Sequence, residues 1–323
     1  MRNLRFVCAQ PATPYYTWQV EVMINNFLEM GIFPNNIDIV CQIKDGVTPP
    51  EWRKLANHYK YVRWFFYNDT RETKHYTSSI RPNILKQHWL ARPELKNDAI
   101  FYHDNDIIFK NKINWEQFLN DDKWYGSDTR WYIAHDYILG KGVDVLDKMC
   151  EIIDIDKQVV KDNELNAIGA QYILKDIDWK FWDTVEKDSE KLFKEITQLN
   201  KIKVAADEEY RKAHPEEKKP PYHTIQIWCS DMWAVLWNAW KMGKETVCHD
   251  DLQFSWGSSG ENLWYKYNIF HNAGVVNAKS GLFYKSAYMN KLPYNENLKI
   301  KPNTASWHYY QYVQKVGKKS VLL

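Results

Sequence analysis

The sequence predicts an α/β fold with a mostly parallel central sheet flanked by helices and a smaller region beside it. Three observations carry this. Strand-like and helix-like segments alternate over residues 1–110, the pattern of βαβ units. The helical segments are punctuated: Gly31 closes one, and Pro49-Pro50 opens the next. The chain has 323 residues, 45% of them hydrophobic and 26% charged, which is enough material for a sizeable core and too apolar for a disordered chain. Residues 1–323 read as one domain, with 1–110 as one half and 111–323 as the other.

Taken in order, "LRFVCAQ" reads as a strand and "WQVEVMINNFLEMG" as a helix. "NIDIVCQI" is a strand, "PPEWRKLANHY" a helix, "VRWFFYND" a strand and "IRPNILKQHWLARPEL" a helix. "AIFYHDNDIIF" is the fourth strand. "KWYGSDTRWYIAHDYIL" is strand-like and polar, and "NELNAIGAQYILK" has Gly169 inside an apolar run, a sign of a tight turn or close backbone approach. Residues 182–214 are charged and helix-like, ended by "PEEKKPP"; the region of about 182–220 is expected to be a solvated helical excursion without chemistry of its own. In "SDMWAVLWNAWKMG", Ser230 is the expected N-cap and Gly243 the stop. Trp233, Leu236, Trp237 and Trp240 recur at helical spacing, so that face should be buried.

Composition excludes several classes. A net charge of +2, with no basic stripe beyond "KKP" and "KVGKK", argues against nucleic acid as a partner. The five cysteines are scattered without metal-knuckle spacing, so free thiols in a reducing compartment are expected. "MRNLRFVCAQ" is too short for a signal peptide, and no run of 18 apolar residues exists for a membrane span. A soluble or peripheral, cytoplasmic protein is expected. Aromatic residues reach 15%, with 16 Trp and 21 Tyr; most such rings fill cores, and some form platforms for sugars and bases.

The interruption of "AIFYHDNDIIF" by His103-Asp104-Asn105-Asp106 is the strongest chemical signal. Asp is depleted in strands and almost never fully buried unless paired or ligating. Asp104 and Asp106, two apart on an extended segment, share a side and can hold one divalent cation. Hard oxygen ligands with open positions suit Mg²⁺ or Mn²⁺, which would neutralise a diphosphate. A solvated turn is the competing reading. The cluster lies where parallel sheets place ligands, at the carboxyl ends of strands.

With these residues the chain resembles the GT-A-fold glycosyltransferases, whose Rossmann-like, nucleotide-sugar-binding half ends in a DxD motif. "IGAQYIL" is similar to their donor-sugar loop. "DMWAVLWNAW", "FSWGS", "FHNAGV" and "LFYKSAY" resemble segments of the hydroxyproline O-arabinosyltransferase and peptidyl-serine galactosyltransferase type. The resemblance implies that His271 completes the metal site with Asp104 and Asp106, and that the donor is a nucleotide sugar, a UDP-sugar foremost. Arg81 and Lys86 near the start of the third helix, and Lys285 further along, are candidates for the donor phosphates. Gln171, beside small residues, is a candidate for the sugar hydroxyls. The nucleoside is expected near Gln10, Thr13 and Trp18. Asp231 is the candidate base for an acceptor hydroxyl on a glycan or protein, with Asp250 and Asp251 in reserve; a helix N-terminal acid is the plainer reading of Asp231. Trp228 and Trp256 either line the acceptor groove or pack. The implied activity is metal-dependent transfer of a sugar to a hydroxyl. The alternatives are a nucleotidyltransferase, against which "CAQPATPYY" lacks the glycine-rich loop, a catalytically dead sugar-binding module, and glycosylation of modified nucleic-acid bases.

Overall fold

The structure is a computed structural model describing residues 2–323. Its first part runs β1 (Leu4–Pro11), α1 (Pro14–Glu29), β2 (Ile37–Ile43), α2 (Pro50–His58), β3 (Arg63–Asn68), α3 (Ile80–Ala91) and β4 (Ala99–Tyr102). Then come β5 (Ile107–Phe109), β6 (Trp124–Asp128) and the short helices α4 to α7 (Arg130–Ile133, His135–Leu139, Val143–Ile153, Lys157–Asp162). β7 (Ile168–Lys175), α8 (Trp179–Ala213), α9 (Ser230–Lys241), β8 (Thr246–Cys248), β9 (Phe254–Trp256), α10 (Glu261–Lys266), β10 (Ile269–His271) and α11 (Ala305–Gly317) complete the chain.

Among the described residues, seven strands form the main sheet in the order β3-β2-β1-β4-β7-β6-β8, and β7 runs against both its neighbours. β1 lies between β2 and β4 and is parallel to both. The chain therefore builds outward on one side of β1 and then crosses to the other. That reversal opens a crevice outside the carboxyl ends of β1 and β4. Val7 sits beside Tyr102 in register, so the polar run after Tyr102 emerges at the crevice.

Both faces of the sheet are covered, which is why β1, β2 and β4 are largely apolar. Val7 and Ala9 join a core containing Trp89 of α3, Trp182 of α8 and Trp237 of α9. Phe6 and Cys8 join Phe27 of α1 on the other face. A third cluster packs Tyr309 and Val313 of α11 against Trp18 of α1 and Phe270 of β10. Gly31 and Gly243 follow the last residues of α1 and α9 with φ of +87° and +71°, the left-handed closure that glycine adopts without strain.

The structure departs from the sequence reading in four places. "AIFYHDNDIIF" is two strands, β4 in the main sheet and β5 in a second sheet of order β5-β10-β9. Two closely spaced acids are costly inside a sheet buried on both faces, so the chain leaves the ladder over residues 103–106, between β4 and β5. In "KWYGSDTRWYIAHDYIL", only Trp124–Asp128 is strand; α4 and α5 follow it. The charged segment is a 35-residue helix, α8, but its first half is no free excursion: Phe181, Trp182, Val185, Leu192 and Ile196 are buried at helical spacing. Its many charges mask a narrow apolar stripe. Ser230 is the first residue of α9, with Cys229 at the cap position. No helix among the described residues is long and apolar enough to cross a membrane.

Candidate active site

The acid pair occupies the crossing between the two sheets. The backbone N–H of His103 still donates to Val7 O, at 3.1 Å, and ends the ladder with β1. β5 then pairs antiparallel with β10, which sets His271 opposite Ile107 and hence next to Asp106. His271 Nε2 lies 3.3 Å from Asp104 Oδ2 and 3.2 Å from Asp106 Oδ1. One ligating atom from each of the three residues falls within 4.8 Å of the others. A second such group, His135, Asp136 and Glu164, has an exposed Asp136 and a half-buried Glu164.

Cations surround the acids. Arg81, in the first turn of α3, donates to Asp104 Oδ1 at 2.5 Å through one amino group and to Asp231 Oδ2 of α9 through the other. Lys285 donates to Asp106 Oδ2. The other oxygen of Asp231 accepts the Tyr76 hydroxyl at 2.7 Å. Burial opposes charge on Arg81, Lys285, His271, Asp104 and Asp106, and the opposite charges outweigh it. Burial would lower the pKa of His271, but Asp106 and Asp104 raise it to about 9. Arg81 and His271 overcome burial to hold Asp104 well below the usual carboxylate range; Lys285 and His271 lower the pKa of Asp106.

Two cavities meet at this cluster, and Ser78, Arg81, Asp104 and Lys285 border both. One runs from the ends of β1 to the start of α1, past Gln10, Tyr15 and Tyr16, with Asn105 and Asp106 in its wall. The other is lined by Asp231, Ala170 and an aromatic wall. In that wall Trp256 stacks on His271 with centroids 6.0 Å apart, and Tyr132 lies nearly parallel to the exposed Trp228 at 6.4 Å. The residues fit a divalent cation: two carboxylate oxygens and an imidazole nitrogen converge on open space, a donor set suited to Mn²⁺. Gln10 Oε1, Asn105 Nδ2 and Arg81 Nε are buried without a partner, and their residues border the first of these cavities. Buried polar atoms are almost always satisfied, so a polar ligand is the natural complement there.

The structure thus brings together Asp104, Asp106, His271, Arg81, Lys285 and Asp231. Lys86 stands apart: its ammonium bonds Glu186 at 2.7 Å and Asp183 at 3.2 Å, both on α8. Gln171 is fully buried behind the cavity. Its amide lies 3.4 Å from His271 Nδ1 and 2.9 Å from Ser127 Oγ, a position that orients the imidazole. A bulge sets it there. The β6–β7 register shifts between Gly126 and Ser127, and Ala170 takes a φ of +62°, a conformation that costs a non-glycine residue about 1 kcal/mol. Gly126 is required at this point, because a Cβ there would lie 2.8 Å from the backbone oxygen of Gln171. Trp18 is buried against Phe283 and Tyr288 rather than facing the crevice. Asp250 and Asp251 form a turn in which Asp251 accepts from Gln117.

Sequence reasoning missed Tyr15 and Tyr16, although their place in the first turn of α1, just past β1, was a usable signal. It also missed Glu190, whose carboxylate accepts from the N–H of His75 at 2.8 Å and from Ser79 Oγ at 2.5 Å. This acid of α8 fixes the loop that delivers Tyr76 and Arg81.

No family model matches the chain, and no curated protein matches it in sequence. Solved structures match in shape. The bifunctional glycosyltransferase WbbM, in its apo form, is 9% identical; the match covers 99% of this chain and 50% of that one, with a TM-score of 0.51. The chain therefore spans about half the length of WbbM. Mouse xyloside xylosyltransferase 1 is 8% identical over 86% of this chain and 99% of its own, with a TM-score of 0.38. Galactosyltransferase LgtC, in complex with donor and acceptor sugar analogues, is 11% identical over 97% of this chain and 95% of its own, also with a TM-score of 0.38. At such identities the likeness is one of fold. That fold is the α/β GT-A type, a mostly parallel seven-stranded sheet, counted among the described residues, with helices on both faces.

Proposed function

We propose that the chain is a metal-dependent glycosyltransferase. It moves a hexosyl or pentosyl group from a nucleotide-diphosphate sugar, a UDP-sugar foremost, to a hydroxyl of a glycan or protein. The observation that carries this reading is the convergence of Asp104, Asp106 and His271 where two cavities meet at the carboxyl ends of β1 and β4. Mn²⁺ or Mg²⁺ held by these three side chains would supply Lewis-acid stabilisation of the departing diphosphate.

The chain's own residues do the rest. The cavity beside Tyr15, Tyr16 and Gln10 takes the nucleoside. The cavity walled by Tyr132, Trp228 and Trp256 takes the sugar and the acceptor. Lys285 and Arg81, on the border of both, neutralise the diphosphate. As the bond from the anomeric carbon to the phosphate oxygen breaks, a bond from the acceptor oxygen to that carbon forms. The nucleoside diphosphate leaves, and the acceptor proton passes to a carboxylate. Asp231 is the carboxylate in the right cavity, and it accepts the proton on the oxygen it shares with Arg81 once that guanidinium has turned to the diphosphate. The segments "FHNAGV" and "LFYKSAY" keep the hydroxyproline O-arabinosyltransferase and peptidyl-serine galactosyltransferase type nearest in motif.

A hydrolysis screen across nucleotide sugars with Mn²⁺ tests the reading without knowledge of the acceptor. One donor should release its nucleoside diphosphate, and EDTA or Asp106→Asn should stop the release. Undiminished turnover by that variant in EDTA would overturn the proposal, and nucleotide binding without turnover of any donor would mark a dead module.

A further inference from the structure

We propose that Lys285 and Arg81 are resident counter-ions of the metal-binding carboxylates, which they release to grip a diphosphate, so that the divalent cation and the diphosphate are taken up together. This rests on the glycosyltransferase reading of the site and goes beyond it by fixing how the site loads.

The first support is charge. Every carboxylate of the cluster already has a cation. Lys285 holds Asp106, Arg81 spans Asp104 and Asp231, and His271 sits between Asp104 and Asp106. Three acids face three basic side chains. A dication entering alone would have to displace the proton of His271, evict Lys285 and Arg81 from their partners and still leave unbalanced positive charge in a partly buried site, which is costly. A diphosphate entering with it restores the balance. It also offers the evicted groups new acceptors of the kind that guanidinium and ammonium bind best.

The second support is reach. Arg81 and Lys285 both border the two cavities. Their side chains keep 25% and 26% of their surface exposed, so each can turn from carboxylate to phosphate without unpacking the core. The third support is an unmet bond. Arg81 Nε is buried without an acceptor while its two amino groups hold Asp104 and Asp231. A guanidinium with a wasted donor is better satisfied by an oxygen-rich anion at the cavity border. Because coupling between two ligands is reciprocal, the cation must strengthen diphosphate binding by the same factor that the diphosphate strengthens cation binding.

Calorimetric titration with MnCl₂ tests this on the full chain at neutral pH, first alone, then with saturating inorganic pyrophosphate, then with UDP. Wild type should bind Mn²⁺ about tenfold or more tightly with either anion than without, a usual size for coupling between sites. Lys285→Met should shift the two measurements in opposite directions. Bare Mn²⁺ should bind about tenfold more tightly, because its competitor is gone, while most of the enhancement by pyrophosphate is lost. A structural role for Lys285 would weaken both. Unchanged or weaker binding of bare Mn²⁺ by Lys285→Met, beside normal coupling in wild type, would overturn the counter-ion proposal and leave the glycosyltransferase reading standing. If wild type binds no Mn²⁺ in any of the three titrations, both fall. Should Lys285→Met not fold, Lys285→Gln replaces it, and equal Mn²⁺ affinity of wild type with and without pyrophosphate overturns the proposal by itself.

Discussion

Asp38, Arg63, His88 and Tyr67 make one polar cluster in this molecule; Asp104, Asp106, Arg81 and His271 make another from nearly the same residue types. In the first, Arg63 donates twice to Asp38, with Nε at 2.6 Å. His88 Nε2 lies 3.3 Å from Asp38, and the Tyr67 hydroxyl lies 3.1 Å from His88 Nδ1. Asp38 and His88 are fully buried, and Asp38 stands near the amino end of β2, away from the crevice. Burial pushes the pKa of His88 down, because the single carboxylate beside it does not outweigh desolvation. At the second cluster two carboxylates outweigh the same penalty and lift His271 to about 9. One set closes on itself, and the other holds its paired acids at the border of two cavities. The comparison teaches that a polar cluster becomes a site when its acids exceed what its imidazole can satisfy and a cavity adjoins them.

The largest effect should separate the clusters outright. Asp106→Asn should cut donor turnover about a hundredfold or more without unfolding the protein, although breaking its buried pairs with Lys285 and His271 costs stability too. Asp38→Asn should leave turnover intact and cost about 3 kcal/mol of stability by breaking a buried pair. Urea unfolding and the hydrolysis assay measure both, and loss of turnover in Asp38→Asn would erase the distinction. Next in size, His271→Gln should weaken Mn²⁺ binding in the presence of UDP by about tenfold or more. His88→Gln should leave that affinity unchanged and cost about 1 kcal/mol of stability. Titration calorimetry tells the two apart.

The smallest effect is a difference of sign with pH. His271 has a folded pKa of about 9 against an ordinary 6.5. Its charge therefore stabilises the fold fully below about pH 6.5, and that stability is lost as pH rises through about 9. His88 is held below its ordinary 6.5. Its neutral form stabilises the fold above that pH, and the contribution is lost as pH falls below it. Metal-free melts should show the alkaline decline in wild type and not in His271→Gln, whereas His88→Gln should soften the acid decline. A His271→Gln profile that parallels wild type above about pH 6.5 would contradict the charge assigned to this imidazole.

The same contrast explains how much was legible in the sequence. The four strands of the first half were readable because a sheet covered on both faces demands largely apolar runs. Asp104 and Asp106 were readable because they interrupt one. His271 was reached through a family resemblance, since its pairing opposite Ile107 is a contact between distant segments that no local pattern encodes. The inward turn of Gln171 depends on a bulge, and the pairing of Lys86 with Asp183 and Glu186 depends on the packing of α3 against α8. The buried stripe of α8 was hidden because long charged side chains flank it on the solvent face.

Anomalous diffraction from crystals grown with Mn²⁺ and UDP addresses the central claim most directly. The account predicts one manganese peak bridging Asp104, Asp106 and His271 Nε2, with the diphosphate against it and the Lys285 ammonium moved from Asp106 to a phosphate oxygen. Bound UDP with no peak between those three side chains, or a peak elsewhere, would contradict it.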